Sequence, residues 1–356
     1  MSVMATSSRK TALVGLLSLT SVAALLIRRV LRAWRARGLG GTPFQVVQSG
    51  SRLLDPQVSP LLLKVSIGHC VRSWSDDYLR RYLGGHKIQV HVSDTPFLNF
   101  ASKNFAYEVA DFDSFLSRLQ GENGNKFLYY RSQHSKRNKA ATLEAIGLGG
   151  DVDHGFSLPD ELLLPFETHS TVLRIASTGL SMWLHYDVCD NFLCCIRGRK
   201  RVILFHPDDI GLLYISGSSS AMGSRLFAEA DLPQLWKEFP LAKAAWKRRH
   251  EIELHAGDVL FLPAFWAHCT QALPHESDKA SISVNTFVLR RDTMSLHDPK
   301  DVWANRELLP AQDAVKAFEE KILPSLAKLP ATARSFYCRK IAAQLQLEAE
   351  AASASG

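Results

Sequence analysis

Apolar residues recur along this chain in short runs, each cut off by glycine, proline or a polar pair. That is the pattern of short strands joined by tight turns. Phe192-Leu193-Cys194-Cys195-Ile196 ends at Arg197-Gly198-Arg199, a turn with glycine where positive φ is easiest. Lys200 to Phe205 returns as a second strand, stopped by His206-Pro207-Asp208. Further on, Ile252-Glu253-Leu254 leads through Ala256-Gly257-Asp258 into Val259 to Leu262, which Pro263 breaks. Helical spacing enters elsewhere: Asp111-Phe112-Asp113 opens a helix through Leu119, and Ser157 to Glu161 starts another. Residues 311–351 are helix-like, interrupted at Pro324 and Pro330, with Val315, Phe318 and Ile322 on one stripe. The pattern predicts a mostly β fold with flanking helices, an antiparallel barrel or jelly roll.

Charge separates the first 54 residues from the rest. Nothing acidic precedes Asp55, whereas eight basic residues do. Thr11 to Ile27 is an uncharged run of 17 residues, at the lower edge of what spans a bilayer. Arg28 to Arg37 then reads as a basic amphipathic stretch carrying Trp34. The expectation is a transmembrane helix or an organelle-targeting leader, with membrane contact through residues 11–37. The catalytic part would face the cytoplasm, or lie inside a mitochondrion or plastid. Gly38 to Gly50 looks like a linker. The whole chain carries +7, but setting the eight leader charges aside leaves 34 basic against 35 acidic residues, so the body is balanced. Overall basicity therefore says nothing about nucleic acid. Six cysteines without a C-x-x-C pair fit buried thiols in a reducing compartment.

Chemistry concentrates at His185-Tyr186-Asp187. Two apart on a strand, His185 and Asp187 face the same way. His268 follows the apolar run Phe261 to Ala267, where a histidine is out of place. Two histidines and one carboxylate are the donor set that leaves iron positions open for cosubstrate and oxygen. Each residue also has a bland reading, as a satisfied core histidine or a turn-capping aspartate. Lys200 shares a face with Val202 and Leu204, so it either snorkels or serves an anion. A dicarboxylic cosubstrate would suit it.

Leu184 to Leu193 with Gly198 to Phe205, Leu260 to His268 and Ser283 to Phe287 closely resemble the cupin-like JmjC dioxygenases. Ser102 to Tyr107, Trp74 to Leu79 and Ser335 to Lys340 are similar to the branch that hydroxylates the wybutosine base of phenylalanine tRNA. The resemblance runs from about residue 60 to about residue 345 and implies a double-stranded β-helix. It implies His185, Asp187 and His268 as ligands of Fe(II), with 2-oxoglutarate and molecular oxygen as cosubstrates. Lys200 would hold the far carboxylate of 2-oxoglutarate, Asn191 and Tyr129 would help hold it, and Asn285 would line the site. Arg131 also matches, without an assigned role. Residues 55–310 would form the dioxygenase domain and 311–356 a helical region joining two subunits as a homodimer.

Three functions stay open from the sequence: a hydroxylase of a modified tRNA base, a protein side-chain hydroxylase or lysine demethylase, and a non-enzymatic cupin-like binding protein. Two basic clusters, Arg131 with Lys136, Arg137 and Lys139, and Lys243 with Lys247 to His250, read as solvated faces or phosphate contacts.

Overall fold

The computed structural model describes residues 59–100, 102–121, 126–149, 153, 155–215, 232–275 and 278–355, together with the backbone of 45–47. In chain order the strands are β1 (Gln45–Val47), β2 (Leu61–Leu63), β3 (Lys87–Ser93), β4 (Phe97–Leu98), β5 (Ala106–Asp111), β6 (Phe127–Arg131) and β7 (Phe166–Ser177). They continue as β8 (Ser181–Met182), β9 (Asp190–Arg197), β10 (Arg199–Phe205), β11 (His250–His255), β12 (Val259–Leu262), β13 (Ala267–Leu273) and β14 (Ala280–Arg290). A nine-stranded sheet runs β1-β2-β12-β9-β14-β7-β6-β3-β5 and a five-stranded sheet runs β11-β10-β13-β8-β4. The pairing is antiparallel except at β1–β2 and β4–β8. The architecture is a jelly roll, one of the two forms that the short, turn-bounded strands predicted.

Continuous apolar strands arise because both faces are covered. From β9, Phe192, Cys194 and Ile196 pack under the helices Asp76–Leu83 and Phe112–Gln120, while Leu193 and Cys195 turn the other way. There they meet Val202 and Leu204 of β10 and Leu260 and Leu262 of β12, which places this cluster between the sheets. Ile203 and Phe205 of β10 face outward beneath the helix Ala242–Arg248. The side-chain period of two thus gives each strand one face for the sandwich interior and one for a helix.

The turn at Gly198 is where structure and expectation part. β9 and β10 are not a hairpin: β9 pairs with β12 and β14, and β10 with β11 and β13. Gly198, at φ +75°, carries the chain from one sheet to the other. A Cβ there would meet the Ala280 carbonyl oxygen at 2.7 Å. Gly198→Ala should cost roughly 1–3 kcal/mol in strain and collision. Urea denaturation measures it, and an unchanged midpoint would refute the constraint.

Other expectations meet the described residues unevenly. The helices at 112–120 and 160–163 lie where the sequence put them, and Pro330 precedes the helix Ala331–Ser355. Gln45–Val47, within the stretch read as linker, form β1. The transmembrane helix and the membrane-anchored location do not hold: no helix among the described residues is long and apolar enough to cross a membrane. The run 11–27 on which both rested lies outside the described residues. Val315 and Ile322 stay exposed in the single chain, so the homodimer rests on the resemblance alone.

Candidate metal centre

His185 and His268 are held by one backbone device. They stand directly opposite as an isolated antiparallel bridge, His185 N donating to His268 O at 3.0 Å and His268 N to His185 O at 2.6 Å. His185 therefore does not lie on a regular strand, as its spacing had suggested; it precedes β9. His268 is the second residue of β13, not the end of the apolar run before it. Asp187 is fixed through its carbonyl, which accepts from Phe265 N at 2.8 Å. A few residues on, Asp190 Oδ1 accepts from Ala264 N at 2.8 Å, and Arg290 Nε reaches Oδ2 at 2.9 Å. The two ligand-bearing segments are thus tied together at several points without using the ligand side chains.

Each imidazole is oriented in the same way. His185 Nδ1 lies 2.9 Å from Trp183 O, and His268 Nδ1 lies 2.9 Å from Trp266 O. A carbonyl only accepts, so Nδ1 carries the proton and Nε2 keeps its lone pair. The rings are 4.4 Å apart between centroids, and His268 Nε2 lies 3.7 Å from Asp187 Oδ2. One donor atom from each of His185, Asp187 and His268 falls within 4.8 Å of the others. Burial, then the neighbouring His268, holds His185 well below the usual imidazole range, so it is neutral and ready to donate. Burial also raises the Asp187 carboxyl, against the pull of His268. Both shifts are costs that a cation among the three would offset.

The triad opens onto a small cavity that is partly continuous with solvent. Arg174, Asn191, Lys200, Thr270 and Asn285 line it, with Met182, Leu193 and Leu262 as its apolar wall. Lys200 is 6% exposed, and burial draws its ammonium down to about 8. The groups acting on it are the Cys195 thiol and Arg174, with no carboxylate among them. Asn191 and Asn285 each bury an Oδ1 that has no partner. A half-turn of either amide presents its NH₂ instead, so either can meet a ligand.

Six of the seven expected site residues therefore converge on one cavity. Tyr129 stands one step back, receiving a 3.1 Å hydrogen bond from Arg174 Nη1. Its neighbour Tyr130 faces the helix-covered core beside Phe112 and Phe115. The sequence reading missed Arg174, although a charge between Leu173 and Ile175 in an apolar strand is the same signal that exposed Lys200. It also placed Arg131 in a surface cluster, whereas Arg131 lies half-buried against the ring of Trp303.

A His-Asp-His cluster at the heart of a jelly roll is a cupin-type arrangement, and the chain belongs to the cupin-like domain family, whose pattern it matches over residues 55–291. Among its relatives, tRNA wybutosine-synthesizing protein 5 of Mus musculus is 34% identical over 304 residues, covering 82% of this chain and 90% of that protein. The Homo sapiens protein of the same name is 33% identical over 304 residues, with the same shares of each chain covered. tRNA wybutosine-synthesizing protein 4 of Neurospora crassa is 36% identical over 305 residues, 82% of this chain but 24% of that longer protein.

Proposed function

We propose that this protein is an enzyme of the tRNA wybutosine pathway, an Fe(II)- and 2-oxoglutarate-dependent oxygenase that hydroxylates a carbon of the modified base in phenylalanine tRNA. The observation that carries the reading is a pair of imidazoles, each anchored through Nδ1 on a carbonyl, and one carboxylate, facing a buried lysine on which no carboxylate acts, in one cavity. The donor set fits a first-row divalent ion with open positions on one side. The names of the relatives support tRNA as the substrate.

In this reading His185 and His268 bind the ion through Nε2, and Asp187 completes the ligand face. When bound, the ion with 2-oxoglutarate and oxygen supplies the oxidising chemistry. The protein positions the partners and keeps the pocket dry. Lys200 Nζ pairs with the distal carboxylate of 2-oxoglutarate from inside the sandwich. Asn191 and Asn285 turn their amides toward the same molecule, and Tyr129 stands behind them as the acceptor for Arg174. Leu193, Leu262 and Met182 exclude water, which strengthens the Lys200 pairing.

The test is succinate release by the full chain given Fe(II), 2-oxoglutarate, oxygen and either bulk tRNA or a peptide pool. Release should rise with tRNA and stay at background with peptides. A rise with peptides alone would replace the tRNA assignment by protein hydroxylation. No rise with either, together with no uptake of Co(II), would leave a binding protein.

A further inference from the structure

Two more cations face the same interior, and neither has a carboxylate of its own. Arg131, the last residue of β6, stands directly opposite Arg174 of β7. Like charges directly opposite on neighbouring strands repel. The Nε of each is buried without a hydrogen-bond partner. Aromatic rings hold their planes: Arg131 lies 4.5 Å from the centroid of Trp303 and Arg174 lies 5.8 Å from that of Phe287. Rings orient a guanidinium but do not neutralise it.

Arginines elsewhere in this fold are treated differently. Arg197 meets Asp76 at 2.6 Å and Asp278 at 3.1 Å. Arg201 and Arg249 share Glu251 at 2.6 and 3.0 Å, and Arg290 meets Asp190 at 2.9 Å. The one carboxylate acting on Arg131 is that of Asp187, which a bound cation would claim. Burial, and then Arg174, draws the Arg131 guanidinium down to about 10, the mark of a charge short of compensation.

Position separates this pair from Lys200. Lys200 is buried on the five-stranded sheet, whereas Arg131 and Arg174 are half-buried on the nine-stranded one. Trp303, which covers Arg131, is itself 37% exposed. The arginines thus stand nearer to solvent than the lysine does. On the oxygenase reading of this centre, we infer that Arg131 and Arg174 form a second anion subsite that grips a carboxylate or phosphate group of the substrate. Planar guanidiniums suit either oxyanion through paired N–H donors.

The experiment uses the full chain loaded with Co(II) and 2-oxoglutarate, titrated by saturation-transfer NMR with two pairs of probes. Indole-3-propionate against its methyl ester tests for a carboxylate, and guanosine 5′-monophosphate against guanosine tests for a phosphate. In at least one pair the anion should bind about tenfold or more tightly than its neutral partner. Arg131→Gln and Arg174→Gln should each remove the preference, and Arg131→Lys should keep part of it, with thermal melting confirming that each variant folds. Equal affinities within both pairs would overturn the proposal. So would a loss of 2-oxoglutarate affinity in Arg131→Gln as large as the loss of probe affinity, since the pair would then serve the cosubstrate. A wild-type chain that takes up neither Co(II) nor 2-oxoglutarate, yet keeps the anion preference, would defeat the oxygenase reading and leave the subsite standing.

Discussion

Asp187→Ala should weaken Co(II) or Fe(II) binding by at least about a hundredfold and abolish succinate release, yet leave the fold intact. Loss of an outer-shell partner alone commonly costs a metal site about ten- to a hundredfold, and a ligand should cost more. The fold survives because Asp187 holds its neighbours through its carbonyl, which accepts from Phe265 N and does not depend on the side chain. In the metal-free protein the carboxyl is a burden, raised by burial above its ordinary 3.8. The folded state then holds a proton that the unfolded chain has released, so stability falls as pH rises through the window above 3.8. Asp187→Ala should lack this fall. Calorimetric metal titration and melting curves across pH decide the matter. Unchanged metal affinity, or a melting temperature many degrees lower, would make Asp187 a structural residue.

Lys200→Met should weaken 2-oxoglutarate binding by about a hundredfold or more, since truncating one partner of a buried charge pair costs about 2–5 kcal/mol. Wild-type affinity should also depend on pH. The free ammonium titrates at about 8, so affinity holds below that pH and falls above it, by about tenfold per unit for one proton. The same substitution should stabilise the ligand-free protein. Lys200 sits below its ordinary 10.5, so between about 8 and 10.5 the unfolded chain holds a proton that the folded one lacks. Stability therefore rises with pH across that window, and the full cost of the buried charge is present below about 8. Methionine removes that cost, worth on the order of 1–3 kcal/mol. Isothermal titration at pH 7 and pH 9.5 with urea denaturation tests both halves. A pH-independent affinity with an undisturbed Lys200→Met variant would place the lysine outside the cosubstrate site.

Much of the centre was visible in one dimension because burial leaves a mark on a strand. A lysine in phase with Val202 and Leu204 must face the sandwich interior, and a histidine beside Trp266 and Ala267 must be buried with a purpose or with a partner. The same mark lay on Arg174 between Leu173 and Ile175. Arg131 was harder, because the charges of Lys136, Arg137 and Lys139 that follow made it look like one more solvated residue. The turn at Gly198 was found, but what it joined was misjudged: a glycine with positive φ serves equally to reverse a strand or to pass it to another sheet. The apolar run 11–27 shows the reverse error, a composition read as a membrane helix that no described helix matches.

The amino-acid order determined which side chains would be buried, since a period of two fixes the face each residue takes once its strand forms. It therefore determined a mostly β fold with covered faces, and the candidate ligands as members of an interior. Only the tertiary structure decided which strands became neighbours and in what register. His185 is set against His268, and Arg131 against Arg174, by pairings between segments far apart in the chain. Facing is a local property of backbone geometry. Adjacency depends on how all the apolar faces are covered together, and no stretch of sequence holds that alone.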